Sequence, residues 1–139
     1  MARVLVVDDD DNIRDTLYEL LSEQYVCQTA ETAEKALARL EADPYDVVLT
    51  DISMPGLSGL ELLGHVRQRF PNTPVIIVSG ISDHEHAEGL IKLGAFEYLL
   101  KPFSLEVVEK SVSRALDYRR RMVSSSDNLS ETDEWKIVR

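Results

Sequence analysis

Five polar residues share one feature of the sequence, since each stands at the end of a short apolar run: Asp8, Asp9, Asp51, Ser79 and Lys101. Three carboxylates within about 5 Å would repel by roughly 3 kcal/mol per pair at an effective dielectric constant of about 20, so they invite a cation. A few hard oxygen ligands favour Mg²⁺, which shares its shell with water and phosphate. A lysine and a small hydroxyl could hold the other oxygens of a phosphoryl group. The predicted chemistry is phosphoryl transfer to a carboxylate.

The segment VVLTDISMPGLSG, residues 47–59, gives Asp51 its setting. Residues 47–50 form an apolar run without alternation, which is typical of a strand covered on both faces in a parallel sheet. Pro55, Gly56 and Gly59 then predict a loop before the next periodic segment. The carboxylate is thus expected at the mouth of a buried strand, where parallel α/β folds bind their ligands.

Strand and helix patterns alternate five times along the chain. The predicted strands cover residues 4–7, 25–30, 47–50, 75–78 and 98–100, and a segment with helical spacing follows each. Five such units with short right-handed crossovers predict an α/β fold, a doubly wound (βα)5 structure with helices on both faces of a five-stranded parallel sheet. Because all five polar residues then stand at carboxyl ends of strands, they are expected to share one rim of the sheet.

Capping residues and apolar stripes predict where the helices begin and which faces they bury. Asp11 or Asn12 is expected to cap the first helix, Asp83 the fourth and Ser104 the last. Asp10 and Asp11 are therefore interpreted as capping or loop residues rather than site residues. Inward positions of the third helix are predicted from its spacing as Leu60, Leu63, Val66 and Phe70.

Composition bounds the possible functions. With 139 residues, 44% of them hydrophobic, the chain is long enough for one globular domain with a core. A formal net charge of -10 opposes direct nucleic-acid or anionic-membrane binding by this domain. The single cysteine, Cys27, is interpreted as a small buried hydrophobe. No signal peptide or membrane span is visible, so a cytoplasmic location is expected.

The segments around the polar residues resemble the receiver domain of bacterial two-component response regulators. The motifs are VVDD at 6–9, LTDISMPG at 49–56, VSG at 78–80 and YLLKPF at 98–103. They occur in the family's order and spacing, and the resemblance covers about residues 2–120. It implies a flavodoxin-like fold with strand order 2-1-3-4-5 and a role in two-component signal transduction or a phosphorelay.

The resemblance also implies the chemistry of the site. Asp51 would accept a phosphoryl group from a sensor histidine kinase or phosphotransfer protein. Asp9, Asp51 and the backbone carbonyl of Ser53 would bind Mg²⁺, with Asp8 helping through water. Such a domain is not a conventional enzyme, because it catalyses its own phosphorylation and dephosphorylation.

A switch is implied by the same resemblance. Ser79 would bind a phosphoryl oxygen and change rotamer, and Lys101 would pair with the phosphoryl group. Tyr98 would turn inward together with Ser79, although its position also suits an ordinary core or edge aromatic residue. The Lys101-Pro102 peptide bond would be cis. Movement at these residues predicts an output face formed by the fourth helix, fifth strand and fifth helix, with a possible homodimer through it.

Two other functions stay open from the residues. A pseudo-receiver would use the fold as an unphosphorylated interaction module, but it should lack Asp51, Lys101 or the acidic pair. A phosphatase of the haloacid-dehalogenase type also uses an aspartate and Mg²⁺, and the spacing of Asp8 and Asp10 resembles its motif. Such an enzyme would place its nucleophile on the first strand and usually needs a cap domain.

The C-terminal segment differs in composition from the rest. Residues 117–139 carry as many basic as acidic residues, whereas the preceding residues hold the whole negative excess. Residues 124–128 read SSSDN, which predicts a flexible linker. We therefore expect a receiver domain at residues 1–122 and a linker or tail at 123–139, with a lead into an output domain absent from this chain as one alternative.

Overall fold

A computed structural model describes the backbone of residues 1–80 and 87–137 and the side chains of residues 1–80 and 89–123. In these ranges five strands alternate with five helices: β1 Arg3–Val7, α1 Asp11–Ser22, β2 Val26–Ala30, α2 Ala33–Ala42, β3 Val47–Asp51, α3 Gly59–Arg69, β4 Val75–Ser79, α4 Ala87–Lys92, β5 Glu97–Leu100 and α5 Leu105–Ile137. All strand pairs are parallel and the order is β2-β1-β3-β4-β5. The predicted fold class and strand order are confirmed.

Each face of the sheet carries its own apolar core, because successive side chains of a strand point to opposite faces. Leu5 and Val7 of β1 pack with residues of α2, α3 and α4. Val4 and Val6 of the same strand pack with residues of α1 and α5. β3 and β4 are buried at every position, which explains why their sequences show no alternation. The two cores fix the strands and thereby the rim at their carboxyl ends.

Cys27 lies in the core between the sheet and α1 and α5, with 4% of its surface exposed. Burial raises the pKa of its thiol to about 11, so the thiolate needed for reactivity does not form at neutral pH. The interpretation of Cys27 as a small buried hydrophobe is confirmed.

The capping residue of α1 differs from the prediction, whereas that of α5 agrees with it. Asp10, not Asp11 or Asn12, caps α1, since its backbone is extended and its side chain accepts the N–H groups of Asn12 and Ile13. Consecutive aspartates are all good capping residues, so propensity alone could not choose among them. Ser104 caps α5 as predicted and accepts the Val107 N–H at 3.2 Å. The predicted cap of the fourth helix, residue 83, lies outside the described residues.

The buried face of α3 also differs from the prediction. Leu62 is fully buried, together with the predicted Leu63 and Val66, whereas Leu60 is 40% exposed. A helix turns by roughly 100° per residue, which puts Leu60 more than a quarter-turn away from the centre of the buried stripe. The predicted inward position of Leu60 is wrong because the stripe includes Gly59 and Leu62 instead.

α5 is longer than the sequence pattern suggested. The backbone stays helical to Ile137, so the non-helical conformation expected of the segment 124–128 is not found, while its role as a linker stays a prediction. Its polar composition misled the prediction, because residues 105–137 contain neither glycine nor proline to end a helix. The division between a domain at 1–122 and a tail at 123–139 stays a prediction. Within the described residues, no helix combines the length and the hydropathy needed to cross a bilayer.

Hydrogen bonds from Arg119 hold α5 against the amino-terminal ends of the strands. Its Nε donates to Asp46 Oδ1 at 2.7 Å and its Nη1 donates to the Asn72 carbonyl at 2.8 Å. Asp46 Oδ2 in turn accepts the backbone N–H of Arg3 at 2.7 Å. These bonds join α5 to the segments that enter β1, β3 and β4, on the side of the sheet opposite the acidic rim.

Candidate functional site

Three carboxylates meet at the carboxyl ends of β1 and β3. One carboxylate oxygen from each of Asp8, Asp9 and Asp51 lies within 4.8 Å of the others. Asp8 and Asp51 are buried, with 2% and 8% of their surfaces exposed, whereas Asp9 is exposed. β1 and β3 are adjacent strands in register, so residues that are distant in sequence are brought to one place. The acidic group predicted from the sequence is therefore present.

Asp8 is held on several sides. Its Oδ1 accepts the Asp10 N–H at 2.9 Å, and its own N–H donates to the Ala30 carbonyl at 3.1 Å. Arg14, one turn into α1, donates from Nη1 to the Asp8 carbonyl at 2.8 Å and also pairs with Asp11. The position of this carboxylate is thus fixed by β2, by the start of α1 and by a guanidinium.

Lys101 contributes the positive charge of the site. Its Nζ lies 3.3 Å from Asp8 Oδ2 and 3.3 Å from Asp51 Oδ2. Its backbone N–H donates to the Ser79 carbonyl at 2.7 Å, which ties the end of β5 to the end of β4. The Lys101-Pro102 bond is cis, as the resemblance implied. One cation therefore bridges the two buried carboxylates.

Burial and neighbouring charges shift the pKa values of Asp8 and Lys101. Burial raises the pKa of the Asp8 carboxyl, and the Asp51 charge raises it further, although the Asp10 hydrogen bond and Lys101 lower it in part. Burial by itself lowers the pKa of Lys101, but attraction and hydrogen bonds to Asp8 and Asp51 outweigh it, so the pKa is raised. Lys101 is therefore charged at neutral pH, and the folded protein holds the Asp8 proton more tightly than water-exposed aspartate does.

Asp8→Asn is expected to stabilise the fold at about pH 7 by roughly 1 kcal/mol, since it removes a carboxylate whose burial outweighs its hydrogen bond from Asp10 and its attraction to Lys101. The raised pKa means that ionised Asp8 costs stability, a cost absent below the unfolded pKa and complete once the pH exceeds the folded pKa. The gain should therefore shrink at about pH 3. Urea unfolding at both pH values measures it. A variant less stable than the wild type at about pH 7 would contradict this electrostatic account.

The segment after Asp51 is a tightly restrained loop, residues 53–58, here called the Asp51 loop. The Ser53 N–H points at Asp51 Oδ1 at 3.4 Å, and Ser58 forms a capping box with Glu61 at the start of α3. Gly59 packs so closely that a Cβ there would lie 2.0 Å from the Asp51 carbonyl oxygen. Only glycine fits at this position, because any side chain would push against the backbone that carries Asp51.

Ser79 and Tyr98, the two predicted switch residues, lie on neighbouring strands. Ser79 ends β4 and is fully buried, and its Oγ contacts the Gly80 carbonyl at 3.4 Å. Tyr98 lies on β5, where it pairs in register with Ile77, and its half-buried ring packs against the core formed with α2, α3 and α4. The structure thus places Ser79 at the rim and Tyr98 deeper in the sheet, level with Ile77. Their switching roles stay predictions.

The donor set at the rim fits a divalent cation. Carboxylate oxygens are hard ligands, and three of them within 4.8 Å leave room for water or a phosphate oxygen in the remaining positions. Among the ion pairs of the described residues, Lys101 contacts Asp8 and Asp51 but not Asp9, so it offsets only part of the charge. The site therefore keeps an excess of negative charge that a cation would neutralise.

Some residues around the site were not found from the sequence. Arg14 could have been suspected from its position on α1, but nothing in its spacing showed that it reaches the Asp8 carbonyl. Glu34 of α2 accepts the Leu57 N–H of the Asp51 loop at 3.3 Å, and no sequence signal links these residues. The Arg14 contact forms within the first βα unit, whereas the Glu34 contact arises only when two separate βα units pack together.

Comparison with known proteins agrees with this geometry. The family model described as "Response regulator receiver domain" matches residues 4–113. Among curated proteins, the DNA-binding transcriptional regulator NtrC of Salmonella typhimurium is 42% identical over 116 residues, which cover 83% of this chain and 25% of NtrC. The hydrogenase transcriptional regulatory protein HoxA of Cupriavidus necator is 38% identical over 117 residues, 84% of this chain and 24% of HoxA. The chain thus spans about a quarter of the length of these relatives.

Comparison with solved structures also finds receiver domains. A response regulator receiver domain protein from Clostridium thermocellum superposes with a TM-score of 0.83 at 31% identity, covering 88% of this chain and 99% of that one. The receiver domain of NtrX from Brucella abortus gives a TM-score of 0.79 at 36% identity, covering 82% of this chain and 98% of its own.

Proposed function

Because this chain belongs to the family of response regulator receiver domains, we propose that it takes a phosphoryl group onto Asp51 from a sensor histidine kinase or phosphotransfer protein. Asp8 and Asp51 both lie 3.3 Å from Lys101 Nζ, and one observation carries the choice of Asp51: its Oδ1 has a long contact, 3.4 Å from the Ser53 N–H, whereas Asp8 Oδ1 accepts the Asp10 N–H at 2.9 Å. Asp51 therefore has the Lys101 ammonium group beside it and is followed in the chain by the Asp51 loop. The kinase donor and a cytoplasmic location are parts of the same proposal.

The transfer is a displacement at phosphorus. A carboxylate oxygen of Asp51 attacks the phosphorus of a phosphohistidine, forming an O–P bond while the P–N bond breaks. The electron pair of that bond leaves with the imidazole, which is neutral when its other nitrogen carries the proton. Lys101 and the Ser79 hydroxyl would hold phosphoryl oxygens. Lys101 already contacts Asp51, so little rearrangement is needed to meet the incoming charge.

Asp9, Asp51 and the Ser53 carbonyl would hold Mg²⁺, with Asp8 acting through water. Bound Mg²⁺ supplies positive charge that neutralises the phosphoryl oxygens. Asp8 suits an indirect role, since both of its carboxylate oxygens already have partners in Asp10 and Lys101. Asp9 is the exposed member of the group and so is open to a cation from solvent.

Mapping the site of modification tests this proposal. The protein is incubated with phosphoramidate in Mg²⁺ or in EDTA, and phosphopeptides are located by mass spectrometry. We expect one phosphoryl group, on Asp51, in Mg²⁺ and none in EDTA, because the crowded carboxylates need a cation before they can accept a further anion. A label on Asp8 would favour the phosphatase, no label the pseudo-receiver, and a label on Asp51 in EDTA would contradict the metal role.

We also propose that this domain serves as the input part of a longer regulator. Its curated relatives include full-length transcriptional regulators, of which it spans about a quarter. DNA binding is part of the description of NtrC, and transcriptional regulation is part of the descriptions of both relatives. The net charge of -10 makes direct DNA contact by this domain itself unfavourable.

The output surface is proposed on α4, β5 and α5, where it could form a homodimer. Its described part exposes several large apolar residues: Ile91, Leu93, Leu100, Leu105 and Val107. Ser79 ends β4 and Lys101 directly follows β5, so movement of these residues toward a phosphoryl group would be passed to this surface. Backbone chemical shifts with and without beryllofluoride should change along α4, at Tyr98 and in early α5. Changes confined to the Asp51 loop would contradict this output face.

A further inference from the structure

We propose that Glu34 is a positioning residue, which holds the Asp51 loop in the shape that binds the metal and the phosphoryl group. The inference rests on the proposed function, since it assigns a task in that same site to a residue outside the site. Glu34 stands in the first turn of α2, on a βα unit that supplies none of the three carboxylates Asp8, Asp9 and Asp51.

The first observation is a hydrogen bond between distant parts of the chain. Glu34 Oε1 accepts the backbone N–H of Leu57 at 3.3 Å, across 23 residues of sequence. The backbone of Glu34 is held in the first turn of α2, because Thr32 caps that helix and accepts the Lys35 N–H at 3.1 Å, while the Glu34 side chain itself is exposed. A carboxylate in the first turn of a helix is also stabilised by the helix dipole. The acceptor is thus presented from a rigid element.

The second observation concerns the neighbouring residue of the loop. Gly56 adopts a left-handed backbone, with φ of +78°, and a Cβ there would lie 2.6 Å from Glu34 Oε2. The carboxylate therefore packs directly against the Gly56 backbone while it accepts from Leu57. The turn of the loop and the side chain of Glu34 fit each other at two successive residues.

The other hydrogen bonds of the loop are local. Ser53 approaches Asp51, and Ser58 bonds with Glu61, so both ends are held within β3 and α3. Met54 and Leu57 rest their side chains on the apolar core. Among the hydrogen bonds of the described residues, that of Glu34 is the one that ties the loop backbone to an element other than the flanking β3 and α3.

The consequence is a restraint on the metal ligand at the start of the loop. The loop is short, covering residues 53–58, so freeing Leu57 widens the range of positions open to the Ser53 carbonyl. A ligand that must be ordered on binding weakens affinity by the entropy of ordering. Glu34 would thus lower the cost of metal binding without touching the metal or the phosphoryl group.

Three variants test this inference. Glu34→Ala removes the acceptor, and Glu34→Gln keeps an acceptor oxygen while removing the charge. Glu31→Ala is the matched control, since Glu31 is an exposed carboxylate just before the same helix and pairs with Lys35 rather than with the loop. Amide exchange at Leu57 is measured without metal, and the Kd for Mg²⁺ is measured by calorimetry.

We expect Leu57 exchange and the Kd for Mg²⁺ to rise about fivefold in Glu34→Ala, as for the loss of one hydrogen bond. Glu34→Gln and Glu31→Ala should stay within about twofold of the wild type. Equal Kd values in Glu34→Ala and Glu31→Ala would overturn the inference, as would equal weakening in both Glu34 variants. If the wild type binds no Mg²⁺, the proposed function fails, and the exchange at Leu57 still reports on the contact.

Discussion

Asp51→Asn is expected to abolish phosphorylation by phosphoramidate in Mg²⁺, while the wild type takes up one phosphoryl group per chain. The amide has nearly the same shape as the carboxylate but lacks its nucleophilic oxygen and its charge for the metal. The substitution should leave the fold intact, since the amide fills the same space and Lys101 keeps Asp8 as its partner. Intact-protein mass and the thermal unfolding curve measure the two effects.

Asp10→Asn is the matched control for that loss. It makes the same chemical change two residues after Asp8, and asparagine caps a helix as well as aspartate does. Asp10 lies outside the three-carboxylate group, so this variant should label like the wild type. Stoichiometric labelling of the Asp51 variant would show that the phosphoacceptor lies elsewhere.

Gly59→Ala is expected to destabilise the protein by about 3 kcal/mol and to lower its Tm by about 10 °C. The new methyl group would lie 2.0 Å from the Asp51 carbonyl oxygen and 2.8 Å from the Ile52 Cα, both backbone atoms that cannot turn aside. Either β3 or the start of α3 must shift, so Asp51 should also be labelled more slowly. Urea unfolding and the rate of phosphorylation measure these changes.

Gly64→Ala provides the comparison within the same helix. A Cβ at Gly64 would have no atom within 4 Å, so alanine is free to favour the helix there. That variant should gain up to about 1 kcal/mol from helix propensity. If both glycine variants lose stability equally, the loss is a general effect of changing α3 and the close contact at Asp51 is not its cause.

The parts of the fold that the sequence predicted are those governed by short-range pattern. Apolar runs place all five strands within a residue or two of their observed bounds, because the central strands are buried on both faces. The polar residues stand at the carboxyl ends of parallel strands, so the same pattern also predicted that they share one rim of the sheet. Topology then brought Asp8, Asp51 and Lys101 together as expected.

What the sequence could not supply depends on contacts between separate units. Leu60 and Leu62 are equally apolar, and only the packing of α3 on the sheet decides which is buried. The contact of Glu34 with Leu57 joins two βα units across a loop. In the C-terminal segment, polar residues are compatible with both a linker and a solvent-exposed helix, so composition could not decide its conformation.

The most direct test of the account is a crystal structure of the protein with Mg²⁺ and beryllofluoride. We predict that beryllium bonds to a carboxylate oxygen of Asp51, that Mg²⁺ contacts Asp9, Asp51 and the Ser53 carbonyl, and that Lys101 contacts a fluorine. Beryllofluoride on Asp8, or Mg²⁺ bound away from the carboxylates at the ends of β1 and β3, would contradict the central claim that Asp51 is the phosphoacceptor of a metal-dependent site.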